Sequence, residues 1–455
     1  MEKVSSTAIK NKLTALYRQY SDSIAAGMPA AINRQRESAI SQFDEKGLPE
    51  KGCERYRFTD IMGAFGHTHG YAIGPQKEQV DSQKAFRCAV PGLDTYTITV
   101  GNGWIDTQNG NLPAGVTVTG LAEGAQLHPD IFEANYNRRA ATKHDTIISL
   151  NTAFARGGLF LYIPDNVVVD KPIQIVNVLS GGNPLMVNQR NLIVAGRGSQ
   201  AKIVFCDHTL AERQFLLNNV TEVVMLDGSQ LDCYSIQNLN DHSSQISSIL
   251  IEQNAGSQLL ANTLTLHGGF VRNNLEVLMN GQHAEANIYG LSLPCGHQHI
   301  DNFTYIDHAV PNCTSYELYK NVLNGDSVGA FGGYVLVRPD AQKTNAMQSN
   351  KNICISPSAR MYTKPQLEFY ADDVKCSHGA TVGQLDENAL FYMRQRGIGE
   401  EEAKMMLMSA FAHEVVRTIR IPVLAERYAE MIENRLRGRH AACGDCFMKC
   451  ERNKG

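Results

Sequence analysis

A repeat in the middle of the chain limits the folds that are open to it. Four segments share two β-rich runs around a Gly-Ser-Gln or Gly-Gln-His turn, and the turn glycines are Gly198, Gly228, Gly256 and Gly281. The steps between them are 30, 28 and 25 residues, and such steps with two or three short strands per turn are typical of a solenoid. Val, Ile and Leu dominate and several segments alternate with period two, which excludes helical repeats. The sequence therefore predicts a mainly β fold with a right-handed parallel β-helix core.

Helical patterns lie on both sides of this core. Residues 1 to about 45 have helical spacing, and Asp145 is placed to cap a short helix that follows it. Near the C-terminus Asp386 caps a helix that Gly397 stops, and Pro422 opens a later helix. The helix between them is expected to bury one stripe of side chains, namely Ala403, Met406, Leu407, Ala410, Phe411 and Val415.

Three regions follow from these patterns. Residues 1–156 are expected to form a helical and irregular N-terminal region, residues 157–372 the β-helix, and residues 373–455 a helical C-terminal region. An open β-helix has two ends whose strand edges need a cover or a partner. We expect the N-terminal helices to cover one end, and the other end, near residues 372–383, to be available to another subunit.

Composition narrows the classes of function. A net charge of -4 and 7% aromatic residues give no reason to expect a nucleic-acid partner. No run of about 18 apolar residues exists to cross a membrane, and the N-terminus has no apolar signal sequence. Eleven scattered cysteines fit reduced thiols, so a cytoplasmic location is expected. Without a G-x-x-x-x-G-K-[ST] loop, ATP hydrolysis cannot be assigned to this chain.

A β-helix fold is also compatible with a second class of function, a carbohydrate-cleaving enzyme. Such an enzyme needs carboxylates gathered along one flank of the solenoid. The acidic candidates Asp227, Asp232, Glu252 and Glu276 fall at different registers of the repeat. We therefore expect a scaffold rather than an enzyme.

The segment DDVKCSHGATVG, residues 372–383, holds the candidate site. Thiolate and neutral imidazole are both good ligands for iron and iron–sulfur clusters, and Cys376 and His378 would share one face of an extended strand. Two ligands are too few for a cluster, which normally has four, so a site shared with a partner chain is the coherent form. The alternative to a ligand site is that this segment is a polar turn that leads into the C-terminal helices. A third interpretation is a nucleophilic Cys376 activated by His378. It would need a hydrogen bond between these two side chains and a third group that orients the histidine.

The same stretch, extended to residues 372–411, resembles the tail of the SufB/SufD family of the SUF iron–sulfur cluster assembly machinery. Its motif KCSHGATVG is more similar to the SufD branch than to the SufB branch. Residues 34–49, 158–176 and 264–291 also resemble that family. The resemblance implies a non-catalytic scaffold that pairs with a SufB-like scaffold through the β-helix end and binds the ATPase SufC within about residues 384–425. It implies a cluster-assembly interface at His378 and Cys376, with no stably bound cofactor and a transient iron–sulfur cluster or iron.

Three further interpretations stay open. The isolated chain is expected to close on itself as a homodimer, which within the same fold is also an alternative storage or carrier form. His440, Cys443, Cys446 and Cys450 follow helical steps of 3, 3 and 4, either as a metal site or as an unstructured thiol tail. His67 and His69 lie two residues apart in a glycine-rich loop without a third ligand in view.

Overall fold

The computed structural model describes residues 5–50, 53–66, 70–71, 90, 92–142, 145–210 and 212–438. Its core is a parallel β-solenoid, as the repeat predicts, but each turn has two long strands. In chain order the strands are β1 (Gly70–Tyr71), β2 (Tyr96–Gly101), β3 (Trp104–Asn109), β4 (Thr117–Gly120), β5 (Leu159–Ile163), β6 (Ile173–Leu179), β7 (Leu185–Ala195), β8 (Gln200–Thr209), β9 (Phe215–Met225), β10 (Gln230–Asn238), β11 (Ser244–Gln253), β12 (Gln258–His267), β13 (Phe270–Met279), β14 (Glu285–Ser292), β15 (His299–His308), β16 (Thr314–Leu323), β17 (Val328–Val337), β18 (Thr344–Cys354), β19 (Arg360–Phe369) and β20 (Val374–Gly383).

Two facing sheets share these strands. The first sheet has the order β19-β17-β15-β13-β11-β9-β7-β5-β4, and the second has β20-β18-β16-β14-β12-β10-β8-β6-β2-β3. Neighbouring solenoid strands are parallel, whereas β3 pairs antiparallel with β2 and β4 pairs antiparallel with β5. These N-terminal strands therefore cover the first rung of the solenoid, so that its edges are paired.

The turn glycines explain how successive rungs stack. Gly198, Gly228 and Gly256 have φ of 64°, 69° and 65°, a left-handed conformation that glycine adopts without a steric penalty. The fourth turn is different, because His283 takes the left-handed conformation at φ 63°. At Gly281 an added Cβ would lie 1.9 Å from the Ala255 backbone nitrogen, so close approach is what requires glycine. The expectation that Gly281 is equivalent to the other three is wrong.

Ten helices flank the solenoid within the described residues. They are α1 (Ser6–Ala25), α2 (Ala30–Asn33), α3 (Arg36–Lys46), α4 (Met62–Phe65), α5 (Leu121–Leu127), α6 (Pro129–Asn135), α7 (Thr146–Phe154), α8 (Glu387–Gln395), α9 (Glu400–Val416) and α10 (Pro422–Leu436). The predicted caps are confirmed, since Asp145 accepts from the Ile147 N–H and Asp386 accepts from the Asn388 and Ala389 N–H groups.

The N-terminal helices lie along one face of the solenoid. Ile9 and Leu13 of α1 belong to one buried cluster with Met186, Leu216 and Ile246, which are on the outer face of the first sheet. The expectation that these helices cover the end of the solenoid is therefore wrong. The strand pairs β2–β3 and β4–β5 do so instead, because they continue the sheet hydrogen bonding that an end rung lacks.

The C-terminal helices fold back along the opposite face. Helices α9 and α10 pack on the outer face of the second sheet, where Met408 and Leu424 share a buried cluster with Leu260 and Leu318. The predicted stripe of α9 is confirmed at Ala403 and Val415 and wrong at Met406, which is 47% exposed. The buried residues of this helix are Ala403, Met405, Met408, Ala412, Val415 and Val416.

Candidate functional site

The last strand of the solenoid carries both candidate ligands. Cys376 and His378 lie on β20, which pairs with β18 from Thr344 and Val374 to Ile353 and Gly383. The solenoid therefore continues through residues 374–383, beyond the boundary expected at residue 372. Most side chains of this strand are exposed at the end of the fold. The strand therefore lacks the buried apolar positions of the inner strands, and its sequence is polar.

The environments of the two candidate ligands differ. Cys376 is half-buried and packs against the apolar core between the two sheets. Burial raises the pKa of the Cys376 thiol, while a hydrogen bond from the Ala346 backbone acts in the opposite direction. His378 is exposed. A thiol whose pKa is raised is less ionised near neutral pH and is therefore a poorer nucleophile, which argues against an activated cysteine.

The C-terminal end of the solenoid is open within the described residues. Strands β19 and β20 form the last rung, and no described strand pairs with their outer edges. Large apolar side chains on these strands and on β18 are exposed, together with one just after β19, namely Met347, Tyr362, Phe369, Tyr370 and Val382. An unpaired edge with exposed apolar side chains is a typical site for strand pairing with another chain.

Two buried polar residues lie behind His378, and sequence reasoning missed both. Glu317 pairs in register with Gln348, and Gln348 pairs in register with His378. Gln348 Nε2 donates to Glu317 Oε2 at 2.8 Å. Burial raises the pKa of the Glu317 carboxyl to about 7, with the hydrogen bond from Gln348 acting in the opposite direction. The sequence spacing could have indicated these neighbours. Glu317 and Gln348 are 31 residues apart and Gln348 and His378 are 30 apart, and each distance corresponds to one turn of the solenoid.

The acidic residues of the carbohydrate-enzyme alternative do not form one site. Each is paired with a different arginine, and Asp232, Glu252 and Glu276 are buried. The pairs are Asp227 with Arg197 at 4.0 Å, Asp232 with Arg420 at 3.1 Å, Glu252 with Arg138 at 2.5 Å and Glu276 with Arg55 at 2.6 Å. Catalysis on a glycosidic bond requires two carboxyl groups that face one substrate. These four acids do not provide such a pair.

The C-terminal helices offer a second exposed surface. Helix α8 has no buried residue, and Phe391 and Tyr392 are 64% and 59% exposed. Helix α9 is fastened to the solenoid by Lys320, whose Nζ donates to the Phe411 carbonyl at 2.8 Å and forms an ion pair with Glu414. The base of the tail is thus attached to the solenoid, while α8 presents its aromatic side chains to the solvent.

The remaining candidate ligands lie elsewhere in the chain. His67, His69, His440, Cys443, Cys446 and Cys450 are outside the described residues. Among the residues that the structure describes, no three His, Cys, Asp or Glu side chains are grouped as a metal site. All seven cysteines in those same ranges are free thiols. None of the described helices is long and apolar enough to cross a membrane.

The parallel β-solenoid, with a last rung that no described strand covers and with a helical tail, defines the class of fold, and sequence comparison assigns the family. The family described as "SUF system FeS cluster assembly, SufBD core domain" matches residues 177–411, and "SufBD protein N-terminal region" matches residues 7–175. The chain belongs to the SufBD family. It therefore has a role in iron–sulfur cluster assembly.

Individual relatives agree with this assignment. An iron–sulfur cluster assembly SufBD family protein of Synechocystis is 27% identical, covering 95% of this chain and 97% of the relative. The iron–sulfur cluster assembly protein SufD of Escherichia coli is 24% identical, covering 89% and 93%. The SufD protein of Bacillus subtilis is 25% identical, covering 71% and 74%. The similarity extends over most of each protein, solenoid and flanking helices included.

Proposed function

We propose that this chain is a non-catalytic scaffold subunit that pairs with a SufB-like scaffold through the open end of its solenoid. The observation that carries the proposal is the last rung, unpaired within the described residues, which displays Cys376 and His378 on β20. Strand pairing across this rung would place both residues at the junction of the two chains. Ligands from the partner would then complete a site for the nascent cluster, which is cargo and usually needs four ligands.

The tail supplies the second half of the proposal. Residues 384–425 are proposed to bind the ATPase SufC, and the exposed aromatic pair of α8 lies within them. Aromatic side chains that are solvent-exposed in one chain often become the central contacts of an interface. Because α9 is attached to the solenoid through Lys320, movement of a bound ATPase would be passed to the solenoid. The isolated chain would close its open rung on a second copy of itself.

The interface hypothesis is tested by replacing His378 with alanine. The full chain is co-produced with a SufB-type scaffold and SufC and purified without oxygen, and iron and sulfide are measured per complex. We expect the complex to form and its iron and sulfide content to fall at least about tenfold, because an interface ligand is lost. His297→Ala, which removes an exposed histidine from a solenoid turn, is the control and should retain cluster.

Two results would count against this interface. Normal cluster content in His378→Ala would mean that β20 contributes no ligand and that the partner holds the site. Failure of the wild-type chain to co-purify with the scaffold would contradict pairing itself. Cys376→Ser in the same assay separates the contribution of the thiol from that of the imidazole.

Binding of the ATPase is tested by changing Phe391 and Tyr392 together to serine. We expect the dissociation constant for SufC to rise about 30-fold, the effect of losing about 2 kcal/mol of central aromatic contact. The thermal midpoint should stay unchanged, since both side chains are exposed in the free chain. Leu127→Ser, on α5 in the N-terminal region and 56% exposed, is the matched control. An unaltered dissociation constant for the double variant would place the ATPase surface elsewhere.

A further inference from the structure

A row of three polar side chains leads from the open rung into the solenoid. Glu317 on β16, Gln348 on β18 and His378 on β20 occupy successive strands of the second sheet in direct register. Residues of equal parity on a strand share a face, and Cys376, two residues before His378, packs on the core between the sheets. All three side chains therefore belong to the inner face of the sheet.

The inner two members hold each other in a fixed orientation. Glu317 is 0% exposed and Gln348 is 4% exposed. Because Gln348 Nε2 donates to Glu317 Oε2 at 2.8 Å, the amide nitrogen points inward along the row. The opposite sheet leaves room for this amide, since a Cβ at Gly333 would lie 2.3 Å from Gln348 Nε2. A side chain at that position would displace the amide.

The amide oxygen of Gln348 has no partner among the described residues. Gln348 Oε1 is buried and accepts no hydrogen bond from them, and a buried acceptor of this kind is costly unless it is satisfied. In-register neighbours on adjacent strands have Cβ atoms about 5 Å apart, within reach of a glutamine and a histidine. His378 is the neighbour on the open side, and its ring carries an N–H that can donate.

We propose that Gln348, held by Glu317, is a positioning residue that accepts a hydrogen bond from the His378 ring and fixes its tautomer. One ring nitrogen then carries the proton and donates inward, while the other keeps its lone pair and faces the partner chain. Histidines that bind metals almost always have such a second partner on the other nitrogen. The inference deepens the proposed function, because it rests on His378 acting as an interface ligand.

The next pair on the inner face of the same two strands supplies a matched control. Asn350 is also buried on the inner face of β18, but it pairs with Ala380 and donates to the Tyr319 carbonyl. Exchange of Gln348 for an apolar side chain of similar size removes its hydrogen bond to Glu317. The same exchange at Asn350 removes its hydrogen bond to the Tyr319 carbonyl and the one that it accepts from Asn352. Only the exchange at Gln348 removes an acceptor next to His378. Gln348→Met and Asn350→Leu therefore separate positioning of the ring from general loss of stability.

The test is made on the full-length chain, without partner or iron, with ¹⁵N-labelled histidine. NMR of the ring nitrogens reports the tautomer of His378, whose signals are identified by their loss in His378→Gln. We expect one tautomer to dominate in the wild type. In Gln348→Met the ratio of the two tautomers should fall about fivefold, the bias that one net hydrogen bond supports. Asn350→Leu should keep the wild-type ratio.

The outcomes separate this inference from the proposed function. A wild-type His378 that already populates both tautomers as an unconstrained imidazole overturns the inference, even if Gln348→Met does not fold. An equal change in Gln348→Met and Asn350→Leu overturns it as well. Neither result affects the interpretation of the cluster assay. In that assay, normal iron and sulfide content in His378→Ala overturns the proposed function.

Discussion

Replacing Glu222 with alanine is expected to lower the free energy of unfolding by about 3–5 kcal/mol, the usual cost of breaking a buried ion pair. Glu222 is 1% exposed, and its Oε2 lies 2.5 Å from Nη2 of Arg190, which is 0% exposed. The same carboxylate accepts N–H groups of Asn137, Arg139 and Ala140 at 2.8–3.0 Å. Its removal leaves a guanidinium and three backbone donors without their acceptor inside the protein.

Chemical denaturation followed by circular dichroism measures this loss. Glu133→Ala is the control, because its pair with Arg34 spans 3.7 Å between side chains that are each more than half exposed. Exposed pairs contribute about 0–1 kcal/mol, so the control should differ little from wild type. The double variant Arg190→Met with Glu222→Leu should recover part of the loss, since both charges are then absent. A Glu222→Ala loss below about 1 kcal/mol would show that the pair is not what fastens residues 137–140 to the solenoid.

The second large effect is a pH-dependent gain of stability in Glu317→Gln. The pKa of Glu317 is raised to about 7 by burial, above its unfolded value of 4.5. Between these values the folded chain binds more protons than the unfolded chain, so its free energy of unfolding falls as pH rises. The difference between 7 and 4.5 is about 2.5 pKa units, which corresponds to about 3 kcal/mol. The amide of the variant carries no charge at any pH and escapes this loss.

The measurement is the difference in denaturation midpoint between variant and wild type at a series of pH values. We expect no difference in the free energy of unfolding below about pH 4.5, growth of the difference up to about pH 7, and about 3 kcal/mol in favour of the variant above it. Other groups titrate in both proteins, and their contributions cancel. Glu212→Gln, at an exposed turn, should give a flat difference. A flat difference for Glu317→Gln would mean that the carboxyl titrates in the fold as it does in the unfolded chain, so that burial does not raise its pKa.

Some local features could be predicted because nearby residues decide them. Asp145 and Asp386 were identified as helix caps, since a capping side chain needs only the N–H groups two or three positions ahead of it. Pro422 marked the start of α10 for a similar local reason. The buried face of α9 could not be identified in this way. The four consecutive residues at 405–408 are all apolar, so the pattern is compatible with more than one face.

The sequence by itself determined the solenoid, because a turn signal recurring every 25–30 residues forces strands to stack rung upon rung. It also pointed to Cys376 and His378, whose chemistry is local. The sequence also placed the open end near residues 372–383. Only the tertiary structure decided that residues 374–383 form the last described strand of the solenoid, and that Glu317 and Gln348 lie in register behind His378. Cross-rung register depends on the summed lengths of two strands and two turns. No short-range rule fixes that sum. A spacing of about one turn therefore shows which residues could be neighbours of the site, and the folded chain decides which of them are.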